Sequence, residues 1–262
     1  HYRFGSACQR ELRSEKKIEP TKNLSALFFI GYVDRIFREG FMTDIEKNLK
    51  EIFGEISAGN NLGEKITLLG ATKFVDASRI NEAISAGLTT IGENHAQEFR
   101  DKLPFYLPCE KHFIGTLQKN KLKYVVGKAD VIDSVSSVDL ANAIDGKAEA
   151  SGITQKVMLE INAGDESTKT GTPIESAKPL YKSIIGLKHL KLVGVMAMLP
   201  AGKNEEELAM LCQNLRAFYD EIRKETPSVI TLSVGMSGDY KIAIKNGSNM
   251  IRLGRAIFGE RA

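Results

Sequence analysis

Residues 66–94 read ITLLGATKFVDASRINEAISAGLTTIGEN. An apolar run (66–71) gives way to a polar turn, then to apolar residues at helical spacing (77–86), then to a second apolar run (89–92). A continuous apolar run marks a strand covered on both faces, and strand–helix–strand is the unit of a parallel sheet. Outward from this unit the pattern repeats. Further apolar runs fall at 112–117, 131–135, 157–162, 192–198, 231–236 and 250–258. Amphipathic stretches at 95–103, 118–127, 138–150, 174–185, 204–224 and 239–246 separate them. Eight strands with a helix in every gap predict an α/β protein built as a single (β/α)8 TIM barrel. A doubly wound open sheet is the alternative, which periodicity leaves open. The first crossover carries no GxGxxG, since the first run ends in Gly70-Ala71-Thr72-Lys73, so a dinucleotide fingerprint is missing.

Ahead of this body, Met42-Thr43-Asp44-Ile45 opens an amphipathic helix with Thr43 or Asp44 as N-cap and Ile45, Leu49, Ile52, Phe53 and Ile56 on one face. Residues 1–41 show no sustained period and begin with His; they are expected to be a non-native or disordered extension, with the barrel domain over 42–262. A transit peptide is the rival reading, opposed by five acidic residues. The extension holds eight Lys/Arg, a net of +3, which equals the net charge of the whole 262-residue chain. The body is therefore neutral and lacks the basic footprint of a nucleic-acid binder. The longest apolar run, 24–33, is too short to span a bilayer. Cys8, Cys109 and Cys212 lie far apart without a CxxC, which suits a reducing, cytoplasmic setting. The histidines have no ligand spacing, so metal chemistry is not expected.

Barrel sites lie at the carboxyl ends of the strands, and a phosphate site is often built by the loops after the seventh and eighth. Here the seventh run leads into Met236-Ser237-Gly238-Asp239 and the eighth carries Arg252-Leu253-Gly254-Arg255. Ser237 offers a hydroxyl and Gly254 a close backbone approach, although Ser237 could simply cap a helix. Lys73 follows the first run, where apolar walls disfavour its charge and would free an amine to attack an aldehyde. A Schiff-base lysine across from an anion pocket suits pyridoxal 5′-phosphate (PLP). Arg252 shares a strand face with Gly254 and could donate to the pyridine nitrogen, or pair with a carboxylate such as Glu93. The remaining strand ends contribute Asn94, Thr116 and Gln118, Ser134 and Ser136, Asn162, and Met196 with Met198. The two methionines alternate along a strand and are read as core. Lys169-Thr170-Gly171 matches a β-lactamase KTG, but no SDN accompanies it.

On these residues the chain resembles the pyridoxal phosphate homeostasis proteins (the YggS/PROSC type), which are similar to the N-terminal barrel of alanine racemase. The motifs are Ala71-Thr72-Lys73, Gly92-Glu93-Asn94 with Gln97-Glu98, residues 112–121, Asn162 with Glu166, Lys169 and Gly171, and Gly194-Val195-Met196. Residues 232–239 and 251–259 complete the set, which runs from about Ile66 to Arg261. The resemblance implies a Schiff base at Lys73, Arg252 at the pyridine nitrogen, Asn94 and Met236 beside the ring, and phosphate held by Ser237, Gly254 and Arg255. It also implies a cytoplasmic monomer that buffers or delivers PLP, with apo PLP-dependent enzymes as recipients and without catalytic turnover. Three positions depart from the pattern: Arg255 for a usual Thr, Lys111 for a Trp, and His95 for an aromatic.

A slow PLP-dependent racemase is the alternative, and a phosphosugar aldolase using Lys73 a third. Racemisation needs a base on each face of the substrate. Alanine racemase takes its second base, a tyrosine, from a further domain that is expected to be absent here. Tyr106, Tyr124 and Tyr240 are expected away from the strand ends.

Overall fold

The computed structural model describes residues 42–164 and 170–260. The readings of residues 1–41, of Glu166 and Lys169 and of the last two residues lie outside the described residues. Helix α1 (Asp44–Ile56) starts at Thr43, whose Oγ1 accepts from the Glu46 N–H (3.3 Å) while Glu46 Oε2 accepts from the Thr43 N–H (2.7 Å). Two donors that a helix start leaves unpaired are thus satisfied reciprocally. The buried face of α1 is Ile45, Leu49, Ile52 and Ile56, clustered with Ile66, Leu68, Ile80 and Ile257.

Eight parallel strands follow: β1 (Thr67–Ala71), β2 (Thr90–Glu93), β3 (Glu110–Phe113), β4 (Val131–Val135), β5 (Gln155–Asn162), β6 (Leu190–Met198), β7 (Thr231–Val234) and β8 (Met250–Leu253). The pairing order is β4-β3-β2-β1-β8-β7-β6-β5, and β5 pairs back onto β4. That last pairing closes the barrel and excludes the open sheet. The connecting helices are α2 (Ala77–Ser85), α3 (Ala96–Lys102), α4 (Leu122–Val125), α5 (Val138–Ala150), α6 (Ile174–Ile185), α7 (Glu205–Glu225) and α8 (Tyr240–Lys245), and α9 (Arg255–Phe258) follows β8. A two-residue strand, Thr172–Pro173, lies against the end of β5.

Strands buried on both faces divide their side chains between two cores. Leu69, Val131, Met158, Val193, Met196 and Met250 fill the barrel. Their neighbours along the strands join the outer clusters beneath the helices, as Leu68 does on β1 and Val157 and Leu159 do on β5. Each such side chain contributes roughly 1.5–3 kcal/mol on leaving water, so closure is favoured from both sides of the sheet. Among the described residues no helix is long and apolar enough to cross a membrane.

Three elements differ from their apolar patterns. The run at 112–117 is strand only to Phe113; beyond it Gly115 passes so close to Asn94 that a Cβ there would lie 2.0 Å from its carbonyl oxygen. Residues 250–258 split into β8 and α9, which hydropathy cannot separate because both halves are buried. The 118–127 stretch is a 3-10 turn (Lys119–Lys121) followed by the single turn α4.

Candidate functional site

The carboxyl ends of the strands surround a cavity of about 550 Å3. Lys73, Asn94, Met236, Ser237, Arg252, Gly254 and Arg255 all line it. Its other charged groups are Lys203 and Asp239, so four cations face one carboxylate. Lys203 is paired with Glu207 at 2.9 Å. Lys73, Arg252 and Arg255 form no ion pair with any described residue. A concave site with an excess of uncommitted cations attracts an anion.

Lys73 stands two residues beyond the end of β1, half-buried rather than sunk inside the barrel. Its Nζ makes no hydrogen bond with a described residue. The backbone on both sides of it is held. Lys102 Nζ donates to the Thr72 carbonyl (3.0 Å), to Glu93 Oε1 (2.8 Å) and to Glu98 Oε1 (2.6 Å). Glu98 Oε1 accepts from the Phe74 N–H (2.6 Å), and Thr72 Oγ1 donates to Glu93 Oε1 (2.9 Å). These contacts hold Phe74 at φ +62°, a region that non-glycine residues enter only under constraint. Burial raises the pKa of Glu93, 1% exposed, against the opposing pull of Lys102. Burial works in the same direction on Glu98, but Lys102, the Phe74 amide and His95 outweigh it and hold that carboxyl below its ordinary value. His95 stands at the N-cap position of α3 without a side-chain cap bond and packs on Phe74, the residue after Lys73, with ring centroids 5.0 Å apart, outside the cavity wall.

Arg252 is 5% exposed and is bound by neutral acceptors. Its Nη1 donates to Ser233 O (2.7 Å) and Oγ (2.8 Å), and Nη2 to Ala197 O (2.9 Å). The pairing with Glu93 weighed from the sequence is not made, because Glu93 is taken by Lys102 and Thr72. Burial lowers the Arg252 pKa, opposed at longer range by Asp133, Asp239 and Glu160. A guanidinium has five N–H donors; three are used here, leaving Nε–H and one Nη2 hydrogen.

The turn after β7 depends on Gly235, at φ +110°, where a Cβ would lie 2.8 Å from Tyr240 Cα. Asp239, not Ser237, is the N-cap of α8, and its Oδ1 accepts from the Met236 N–H at 2.6 Å. The Ser237 hydroxyl is left unengaged. No described residue accepts from the amides of Ser237, Gly238, Arg255 or Ala256. Gly254 packs against Ala71, whose carbonyl oxygen would be 3.3 Å from an added Cβ. Asn94 Oδ1 is buried without a partner.

Met196 belongs to the barrel core as expected, but it and Met198 also form part of the cavity wall. Thr116, Gln118, Ser134, Ser136 and Asn162 do not line the cavity. The Lys102 network escaped the sequence reading, although Glu98 and Lys102 stand four apart on one helix, a spacing that signals a pair. The buried pair of His112 Nδ1 and Asp133 Oδ1 (2.8 Å) left no such signal, because its members sit on neighbouring strands. Lys111 points away from the barrel axis and pairs with Asp130 at 3.0 Å. Among the described residues no group of His, Cys, Asp or Glu could hold a metal ion.

Residues 64–262 match the family described as alanine racemase, N-terminal domain. The chain is 39% identical over 197 residues to the pyridoxal phosphate homeostasis protein of Aquifex aeolicus, covering 74% of this chain and 86% of that protein. It is 34% identical over 230 residues to the protein of the same name from Escherichia coli, covering 84% and 98%. Among solved structures, PipY of Synechococcus elongatus with PLP bound superposes with a TM-score of 0.72 at 28% identity, over 82% of this chain and all of that one.

Proposed function

The chain belongs to the alanine racemase N-terminal domain family, among the pyridoxal phosphate homeostasis proteins, and on that premise we propose that it binds PLP reversibly and buffers or delivers it. One observation carries the reading. An unpaired lysine amine, a buried guanidinium with free donors and two turns with unpaired amides converge on one cavity.

The donor set fits the group. Ser237, the two turn amides near it, Gly254 and Arg255 would hold the phosphate, where amide and charged donors are strongest for an oxyanion. Met236 and Asn94 would flank the ring. Arg252 would donate to the ring nitrogen and keep a proton off that atom, since two positive charges would otherwise meet. Lys73 would hold the aldehyde carbon. PLP supplies an aldehyde that condenses reversibly with a primary amine, so bound cofactor is masked from stray amines yet recoverable by an apo enzyme.

The reading is of a carrier rather than an enzyme. Racemisation needs a second base; among the described residues no tyrosine, histidine or cysteine lines the cavity, and its Lys203 and Asp239 are engaged by Glu207 and by the Met236 amide. Tyr240 donates to Glu55 (2.5 Å) and Tyr106 faces Glu93 (3.4 Å). A cytoplasmic setting is supported by the free thiols of Cys109 and Cys212. The test is the visible spectrum with added PLP, followed by borohydride reduction and peptide mapping. The expected result is one reduced adduct, on Lys73, and no loss of α-deuterium from amino acids. An adduct elsewhere, or none, overturns the reading, and deuterium loss would return the racemase.

A further inference from the structure

At the opposite end of the barrel, the amino ends of the strands enclose a second cavity of about 350 Å3. Its wall includes the first residues of β1 (Thr67), β3 (Glu110) and β7 (Thr231) and the second residues of β5 (Lys156) and β6 (Lys191). Met158, Val193 and Met250 of the inner core form its floor and separate it from the PLP cavity.

His112 opens into this space while only 2% exposed. Its Nδ1 lies 2.8 Å from Asp133 Oδ1, so the ring is fixed with a proton on Nδ1. Its Nε2 is buried and has no hydrogen-bond partner. The nearest carboxylate oxygen, Glu110 Oε2, is 3.8 Å away, beyond hydrogen-bond reach. Burial opposes the charged ring, but Asp133 and then Glu110 outweigh it and bring the pKa up to about 9, so Nε2 is a donor at neutral pH. Lys156 and Lys191 form no ion pair with a described residue. Lys156, Lys191 and the His112 ring therefore face Glu110, with Asp133 behind the ring, and the buried Nε2 is left without a hydrogen-bond partner. Such a donor is costly unless a ligand completes it.

We propose that this amino-terminal mouth is a second anion site, which takes a phosphate-class oxyanion between His112 Nε2–H and the ammonium groups of Lys156 and Lys191. With Asp133 and Glu110 set against His112, Lys156 and Lys191, one positive charge is left over for an anion, and Thr67 and Thr231 are within the same wall.

Inorganic phosphate titrated into the intact protein tests it, with the His112 imidazole resonances followed by NMR. The expected result is a saturable shift that Lys156→Met with Lys191→Met weakens by about tenfold or more, the loss of charge-assisted hydrogen bonds. Lys156→Arg with Lys191→Arg should retain binding, and thermal melts of each variant check the fold. Ser237→Ala, in the other cavity, should leave the shift intact. A phosphate monoester in the same titration identifies the source: tighter binding than inorganic phosphate assigns the site to esters, exclusion to free phosphate. An unsaturable drift, or a shift abolished by Ser237→Ala and untouched by the lysine changes, overturns the proposal.

Discussion

A lysine at a barrel mouth is ordinarily paired, and Lys73 is not. It lines a cavity whose buried cation, Arg252, is anchored by backbone and serine oxygens rather than by an acid. An arginine neutralised by a carboxylate would tolerate a protonated ring nitrogen beside it; one bound to carbonyls does not. Arg252→Gln keeps donors and drops the charge, so the absorbance of bound PLP should shift while borohydride still traps it on Lys73. An unchanged spectrum and affinity would remove Arg252 from the ring nitrogen. The Arg255 side chain is exposed and forms no ion pair with a described residue. Arg255→Ala should weaken PLP binding several-fold in low salt and less in high salt, measured by absorbance titration, as expected of a solvent-exposed charge.

At the scale of elements, β2 and α3 together fix the turn that carries Lys73. Lys102 spends its three donors on Thr72, Glu93 and Glu98. Lys102→Met removes one partner of a buried pair and should cost of the order of 3 kcal/mol. The loss should shrink as pH falls, because the Glu93 carboxyl, already raised by burial, then takes up a proton. Trapping at Lys73 should slow in the same variant as the turn loses its hold. On β3 and β4, the pair of His112 and Asp133 has the opposite pH sense. The His112 pKa rises from 6.5 to about 9 on folding, so its contribution is complete below about pH 6.5 and is lost as pH climbs to about 9. Chemical denaturation of His112→Gln across that window should show a flatter decline than the parent.

For the whole molecule, strand order matters because the cavity draws residues from the ends of β2, β1, β8, β7 and β6, which are consecutive neighbours in the barrel. Lys73 and Ser237 are brought together by the strand order, which sets β8 between β1 and β7, and the β5–β4 pairing completes the wall around them. Ligand that binds only the closed barrel stabilises it by mass action: PLP at a hundredfold its Kd adds about 2.7 kcal/mol. For a domain of this size the Tm should rise by roughly 5–10 °C. Lys73→Ala should lose most of that rise, and a rise that is equal in the variant would place the stabilising ligand elsewhere.

Strand and helix order and the chain positions of Lys73, Asn94, Met236, Ser237, Arg252, Gly254 and Arg255 at strand ends were legible in the sequence, whereas closure of the barrel was not. Short-range hydrophobic periodicity encodes them, and motifs at Lys73, Ser237 and Arg252 lie at strand ends by chain position alone. Periodicity could not set the limit of β3 or part β8 from α9, because buried strand and buried helix share one apolar signature. Nor could it choose partners. Glu93 turned to Lys102 rather than Arg252, and His112 met Asp133 across a strand boundary 21 residues away. Those choices belong to the tertiary structure, since a buried charge takes whichever partner the closed barrel brings within reach, and the chain's linear order does not state that distance.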